Sequence, residues 1–214
     1  MELYDMLCSY LNMMSIDYAI CGGGAIDLFL GRKTRPHKDL DVSAYWEDRD
    51  AVVRHMLNDG WDIYEPVGTG YLHKIDDVSL QKRLKSNIWC VKQNNNHYRF
   101  LEREQSMFQV FFDHSDQNDL SFIEFLFNTR DDSFFYYARD DAVKRKLSAA
   151  IMNRCELPYL APEIVLLYKS AAAINPDYQK DFDNAYPFMS IDQKDWFSYA
   201  MDMLYPGGHI WNKK

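Results

Sequence analysis

The stretch from Asp17 to Val42 constrains this chain more than any other part of it. A short apolar run, Asp17-Tyr18-Ala19-Ile20-Cys21, ends in three glycines, Gly22-Gly23-Gly24. Residues 24–31 then place Ala25, Ile26, Leu28, Phe29 and Leu30 at helical spacing, closed by Gly31. A basic loop, Arg32-Lys33-Thr34-Arg35-Pro36-His37, leads into a second strand over 39–45 that carries Asp39 and Asp41. A strand has period two, so these two carboxylates share a face. They repel each other unless a cation lies between them, and a hard divalent ion such as Mg²⁺ suits oxygen ligands. A glycine turn opening a helix presents bare amides to phosphate. The pattern is neither a Walker A loop nor G-x-G-x-x-G.

Each half of this pattern is weak alone. Glycine clusters often make only a tight turn, and Asp-x-Asp pairs often only solvate a strand. Their order along the chain points to chemistry on a nucleoside triphosphate. Arg32 and Arg35 are candidates for bidentate phosphate binding. Lys33 and Lys38 read as solvated, and His37 as a local hydrogen-bonding residue. Two-metal phosphoryl transfer calls for further anionic ligation and a base. Glu124, centred in Phe122-Ile123-Glu124-Phe125-Leu126, is the leading third carboxylate. An acid in so apolar a strand is costly to bury unless paired or metal-bound. Asp113, at the end of the apolar run 108–113, competes for the role.

Around this core the chain alternates between helical and strand patterns. Residues 3–14 read as an amphipathic helix and 47–58 as another, stopped near Gly60. Strands are expected over 61–65, 71–75, 88–92, 108–113, 122–127 and 134–137, with polar turns at 93–96 and 116–119. Residues 97–107 are highly charged and ambiguous. From about Asp141 the segments 142–152, 161–173, 177–186 and 191–204 all read as helices, with Pro162 suited to a first turn. The expectation is an α+β chain: a mixed-sheet domain over 1–140 and a small helical domain over 141–214.

At 47% hydrophobic and 15% aromatic, the 214 residues can bury a core. A net charge of −8 argues against a protein that coats nucleic acid, yet suits a small cationic substrate. The four cysteines show no metal-binding spacing and read as reduced thiols. No apolar run approaches the ~20 residues of a membrane span, and the start has no basic leader region. These features predict a cytoplasmic protein with neither a membrane nor a nucleic-acid partner; they leave the oligomeric state open.

The segment Cys21 to Asp41 resembles the aminoglycoside 2″-nucleotidyltransferases and the related lincosamide nucleotidyltransferases, of the DNA polymerase β-like minimal nucleotidyltransferase superfamily. The shared features are the Gly pair, Ala25-Ile26-Asp27, Leu30-Gly31-Arg32, Thr34-Arg35, His37 and Asp39-Leu40-Asp41. A second stretch, Pro158 to Lys169, is similar to the start of the family's helical C-terminal part, and Lys180-Asp181 fits a pair often found near its end. The resemblance implies a nucleotidyltransferase core followed by a helical domain. It implies transfer of a nucleoside monophosphate, typically AMP, from a Mg²⁺-bound triphosphate to a hydroxyl. ATP or another triphosphate would be the donor and two Mg²⁺ ions the cofactor. The acceptor would be a small hydroxylated compound, with aminoglycosides and lincosamides among the candidates for an antibiotic-resistance role. By position, Gly22 and Gly23 would bind phosphate, Asp39 and Asp41 the metals, and Glu124 would stand as third carboxylate. Residues 97–119 look like an insertion relative to compact members, and many relatives have an aromatic residue where this chain has Gly24. A reading from another class is a nucleotide-binding regulatory or antitoxin-like protein that binds a protein partner. An unpaired apolar surface including Trp196, Phe197 and Tyr199 would favour it.

Overall fold

The computed structural model describes residues 2–68, 70–78, 87–93, 98–104, 107–112 and 117–212. In chain order these form α1 (Glu2–Leu11), β1 (Ala19–Ile20), α2 (Gly22–Leu30), β2 (Asp41–Tyr45), α3 (Arg49–Asn58), β3 (Trp61–Gly68), β4 (Tyr71–Ile75), β5 (Ile88–Lys92), β6 (Tyr98–Glu104), β7 (Met107–Phe112) and β8 (Phe122–Arg130). There follow β9 (Phe134–Tyr136), β10 (Lys144–Lys146), α4 (Leu147–Ala150), β11 (Ile151–Arg154), β12 (Leu157–Leu160), α5 (Pro162–Ser170), α6 (Pro176–Ala185) and α7 (Ile191–Leu204). The chain is α+β, as expected. It divides into two compact units: one holds the residues up to Tyr18 with Pro36–Asn128, the other Ala19–Arg35 with the residues from Thr129 onward.

In the first unit the strands lie in the order β2-β8-β5-β3-β4-β7-β6. β2 and β8 run parallel, and every other pairing in this series is antiparallel. Burial sets the layering: Ile123, Phe125 and Phe127 of β8 are buried, and β2 is buried on both faces from Val42 to Tyr45. Helix α3 packs on β3 through the buried Val52, Val53 and Met56. Arg49 and Glu65 tie the two elements with a buried ion pair at 2.8 Å. The charged stretch 98–104 is a strand. Its Tyr98 and Phe100 join a cluster with Tyr64, Leu72, Val91 and Phe122, whereas Arg99, Leu101 and Arg103 are exposed. The alternation ends at Phe100, since Glu102, in phase with Tyr98 and Phe100, is exposed as well.

In the second unit β1 runs parallel to β12, with Ile20 opposite Tyr159, and β12 pairs antiparallel with β11. Helix α5 packs against α2, α6 and α7. Phe182 stacks on Trp211 at 4.7 Å within this helical core. Pro162 occupies the first turn of α5, and Asn175 caps α6 ahead of Pro176. Ser190 and Gln193 form a reciprocal capping box at the start of α7.

Two expectations need correction. The spacing of apolar residues predicts a helix over 142–152, but that stretch is β10, a single helical turn and β11. The hairpin from β11 to β12 turns at Cys155 and Glu156, both at positive φ (51° and 67°). Such turns ordinarily carry Asn or Gly, so the residues here give no turn signal. The second strand begins at Asp41, two residues later than period-two reading placed it, and Asp39 lies in a bend before it. The polar turn residues 94–96 and Asp116 lie outside the described residues.

Candidate active site

The three glycines are the first turn of α2 itself. Gly22 takes φ 57°, a left-handed conformation that a side chain would strain. The first helical bond of this turn runs from the Ala25 N–H to the Cys21 carbonyl at 3.1 Å, so the amides of Gly22, Gly23 and Gly24 fall ahead of it. These are the donors that a helix N-terminus leaves over. At the other end, Gly31 closes the helix with φ 70°. The buried Asp27 carboxylate accepts from the Thr34 N–H at 2.8 Å and from the Thr34 hydroxyl at 2.6 Å. Asp27 and Thr34 thereby fix the course of the basic loop.

The two loop arginines are placed differently. Arg32 is exposed and reaches the Asn184 side chain at 3.3 Å. Arg35 forks onto both carboxylate oxygens of Asp181, at 3.0 Å each. Asp181 is fully buried and also takes Lys169 at 2.9 Å. Burial alone would raise its carboxyl; the Arg35 hydrogen bond and the charges of Lys169 and Arg35 outweigh this and hold it below the ordinary range. Lys169, itself buried, lies 4.3 Å over the Tyr178 ring. Arg35 and Lys169 thus share the one Asp181 carboxylate. Sequence reasoning singled out Lys180 beside Asp181, but Lys180 pairs at the surface with Asp177 at 3.6 Å. The partner that matters, Lys169, sits inside an apolar helix, where a cation is unexpected without a counter-charge.

The carboxylates come together in the first unit. Asp39, Asp41 and Glu124 each offer an oxygen, and these oxygens lie within 4.8 Å of one another. The reason is register: Asp41 of β2 stands opposite Glu124 of the parallel strand β8. The ladder reaches past the end of β2, because the Glu124 N–H donates to the Leu40 carbonyl at 2.9 Å. Asp39 thus lies on the Asp41 side although it precedes the strand. Asp39 is exposed, and the other two are partly buried. Burial, with the nearby Asp39 charge adding to it, pushes the Glu124 carboxyl up to about 7, against an opposing hydrogen bond from Asn87. The Asn87 side-chain N–H donates to Glu124 Oε1 at 2.9 Å. A set of three converging carboxylates, all hard oxygen donors, fits a hard divalent cation. Asp113, the competing third carboxylate, lies outside the described residues.

The mixed sheet that carries this carboxylate cluster has a nucleotidyltransferase-type fold. Residues 4–68 match the family model for aminoglycoside-2''-adenylyltransferase. In structure the chain is similar to the lincosamide antibiotic adenylyltransferase LnuA in its lincomycin-bound form. The TM-score is 0.54 at 12% identity, over 88% of this chain and 97% of that one. It is similar also to the antibiotic-resistance factor ANT(2'')-Ia, with a TM-score of 0.50 at 14% identity over 96% of this chain and 92% of that one. At such identities the likeness establishes the fold. No curated protein matches the sequence. Among the described residues, no helix is long and apolar enough to cross a membrane.

Proposed function

We propose that the protein is a Mg²⁺-dependent nucleotidyltransferase that moves a nucleoside monophosphate, AMP in the first instance, from a triphosphate to a hydroxyl of a small acceptor. The observation that carries this reading is the convergence of Asp39, Asp41 and Glu124 within 4.8 Å. These three carboxylates would hold the ions. A bound divalent ion supplies neutralisation of the charge that develops on the transferred phosphate. Glu124, oriented by the Asn87 side-chain N–H at 2.9 Å, would take the proton of the acceptor hydroxyl. The hydroxyl oxygen then bonds to the α-phosphorus, the bond from that phosphorus to its bridging oxygen breaks, and pyrophosphate leaves.

The amides of Gly22 and Gly23 at the start of α2 would receive phosphate oxygens. Arg32 would add direct charge, and Arg35 would act from its place on Asp181 beside Lys169. The acceptor class follows from two supports: the family match over residues 4–68 and a net charge of −8 that favours a cationic compound. An aminoglycoside or a lincosamide-like compound fits both the family and the reaction. Calorimetric titration of Mg·ATP into the wild-type chain and Asp39→Asn tests the site. Binding by the first and its loss in the second is the expected result; no binding by either removes the proposal.

A second reading, a nucleotide-binding regulatory protein with a protein partner, draws on exposed apolar side chains. Ile174, Phe188, Ile191 and Tyr199 are each more than half exposed. Phe197, however, is buried in the helical core, and the Trp196 indole N–H donates to the Lys144 carbonyl. Stable copurification with a protein and no turnover of any triphosphate would favour this second reading.

A further inference from the structure

Asp39 belongs to no strand, yet its carboxylate stays with those of Asp41 and Glu124. Among the described residues, three carbonyls hold the backbone around it. The Leu40 carbonyl accepts from the Glu124 N–H at 2.9 Å, and the His37 carbonyl accepts from the Gln117 N–H at 2.7 Å. Backbone donors of this kind are open to almost any sequence. The third is different. The Lys38 carbonyl, in the peptide that leads directly into Asp39, accepts from the side-chain hydroxyl of Tyr98.

Tyr98 comes from β6, 60 residues further along the chain. Its ring is 6% exposed and stacks on Phe122 at 4.4 Å with 20° between the planes. Phe122 lies two residues before Glu124 on β8 and pairs with Val91 of β5. One side chain therefore leans on the strand that carries Glu124 and grips the segment that carries Asp39. Packing alone would be served equally by phenylalanine, since the ring makes the stack. A buried hydroxyl needs a partner, and here that partner is the backbone beside a site carboxylate.

We propose that Tyr98 is a positioning residue of the carboxylate site: its hydroxyl, anchored by the stack on Phe122, fixes the Lys38–Asp39 peptide so that Asp39 stays within ligating reach beside Asp41 and Glu124. The proposal rests on the reading of these carboxylates as a divalent-metal centre. It gives the β6–β7 arm a task, because that arm delivers Tyr98 to the site. Groups one step removed from a metal set the orientation of its ligands, and losing one typically weakens metal binding ~10–100-fold.

Tyr98→Phe separates the two roles, as it keeps the ring and removes the hydroxyl. The test is titration of the full chain with Mn²⁺, read by the electron paramagnetic resonance of free ion, for wild type, Tyr98→Phe and Asp39→Asn. Thermal melts in chelator accompany each. The expected result is that wild type binds, Asp39→Asn loses binding, and Tyr98→Phe binds about tenfold more weakly with a melting midpoint close to wild type. Raising Mg²⁺ should then restore the turnover of Tyr98→Phe, with the change seen in the Mg²⁺ dependence and little in kcat. Equal Mn²⁺ affinity in wild type and Tyr98→Phe, with Asp39→Asn defective, overturns the role of Tyr98 and leaves the metal centre standing. Absence of Mn²⁺ binding in wild type overturns both. Should Tyr98→Phe melt well below wild type, Phe122→Leu replaces it, since it loosens the ring and spares the hydroxyl. Weakened Mn²⁺ binding there supports the proposal, and wild-type binding overturns it.

Discussion

Asp39 and Asp41 make the most specific demand of any residues in the chain. Placed beside Glu124, they concentrate negative charge that only a cation or a proton relieves. Asp39→Asn or Asp41→Asn should lower turnover roughly 10²-fold or more, the loss of several kcal/mol of charge stabilisation. Steady-state rates at saturating Mg²⁺ check this, and rates within twofold of wild type would contradict it. Glu124 adds a pH signature. Its folded carboxyl lies near 7, above the ordinary 4.5. Between these values the metal-free folded state keeps a proton that the unfolded state has lost, so stability is full below about pH 4.5 and falls as pH rises through 7. Metal-free Glu124→Gln should therefore be more stable than wild type at pH 8, by about 3 kcal/mol at most, with the gap closing near pH 4.5. Urea midpoints in chelator measure the gap, and a constant difference across this range would count against the account. The aspartates were legible because their spacing and their glycine prelude lie within one short segment. Glu124 was legible as an acid in an apolar strand. Tyr98 was not, because it acts on a backbone 60 residues away and nothing local marks it; Lys169 stood out only as a cation in an apolar helix, with no sign of its partner.

Elements bring these residues together. The parallel register of β2 and β8 sets Asp41 opposite Glu124, and no local pattern in the sequence encodes a pairing across so many residues. The same holds for β1 and β12, which pair in parallel at Ile20 and Tyr159. Helices were easier to read. Those expected at 3–14, 47–58, 161–173, 177–186 and 191–204 are each matched by a helix, within a few residues at the ends, and Pro162 marks the start of one. The hairpin at 151–160 escaped because Cys155 and Glu156 make its turn without glycine or asparagine. In the second unit Glu163 of α5 binds Arg145 of β10 at 3.0 Å and Gln193 of α7 at 2.8 Å, and so couples three elements. Glu163→Ala would leave Arg145 buried without this carboxylate. It should cost about 3–5 kcal/mol, read as a drop in the urea midpoint. A loss under about 1 kcal/mol, the scale of an exposed pair, would show that Arg145 finds compensation at Asp192.

At the scale of the molecule, an α+β fold of nucleotidyltransferase type carries a carboxylate cluster on one compact unit and a glycine-opened helix on the other. On the proposed reading the carboxylates would hold metal and the glycine amides would receive phosphate, the two requirements of nucleotidyl transfer. Acceptor choice depends on surfaces beyond these motifs, which is why it was the least legible property of the sequence. The central claim is transfer of a nucleoside monophosphate to a small hydroxylated acceptor. Its most direct test is pyrophosphate release from Mg·ATP, and in parallel Mg·GTP, across a panel of aminoglycosides, lincosamides and other hydroxylated compounds, with product masses taken. The account predicts Mg²⁺-dependent release with at least one acceptor and a product heavier than that acceptor by one nucleoside monophosphate. Release with none of them, from a folded chain that binds neither nucleotide, would contradict it.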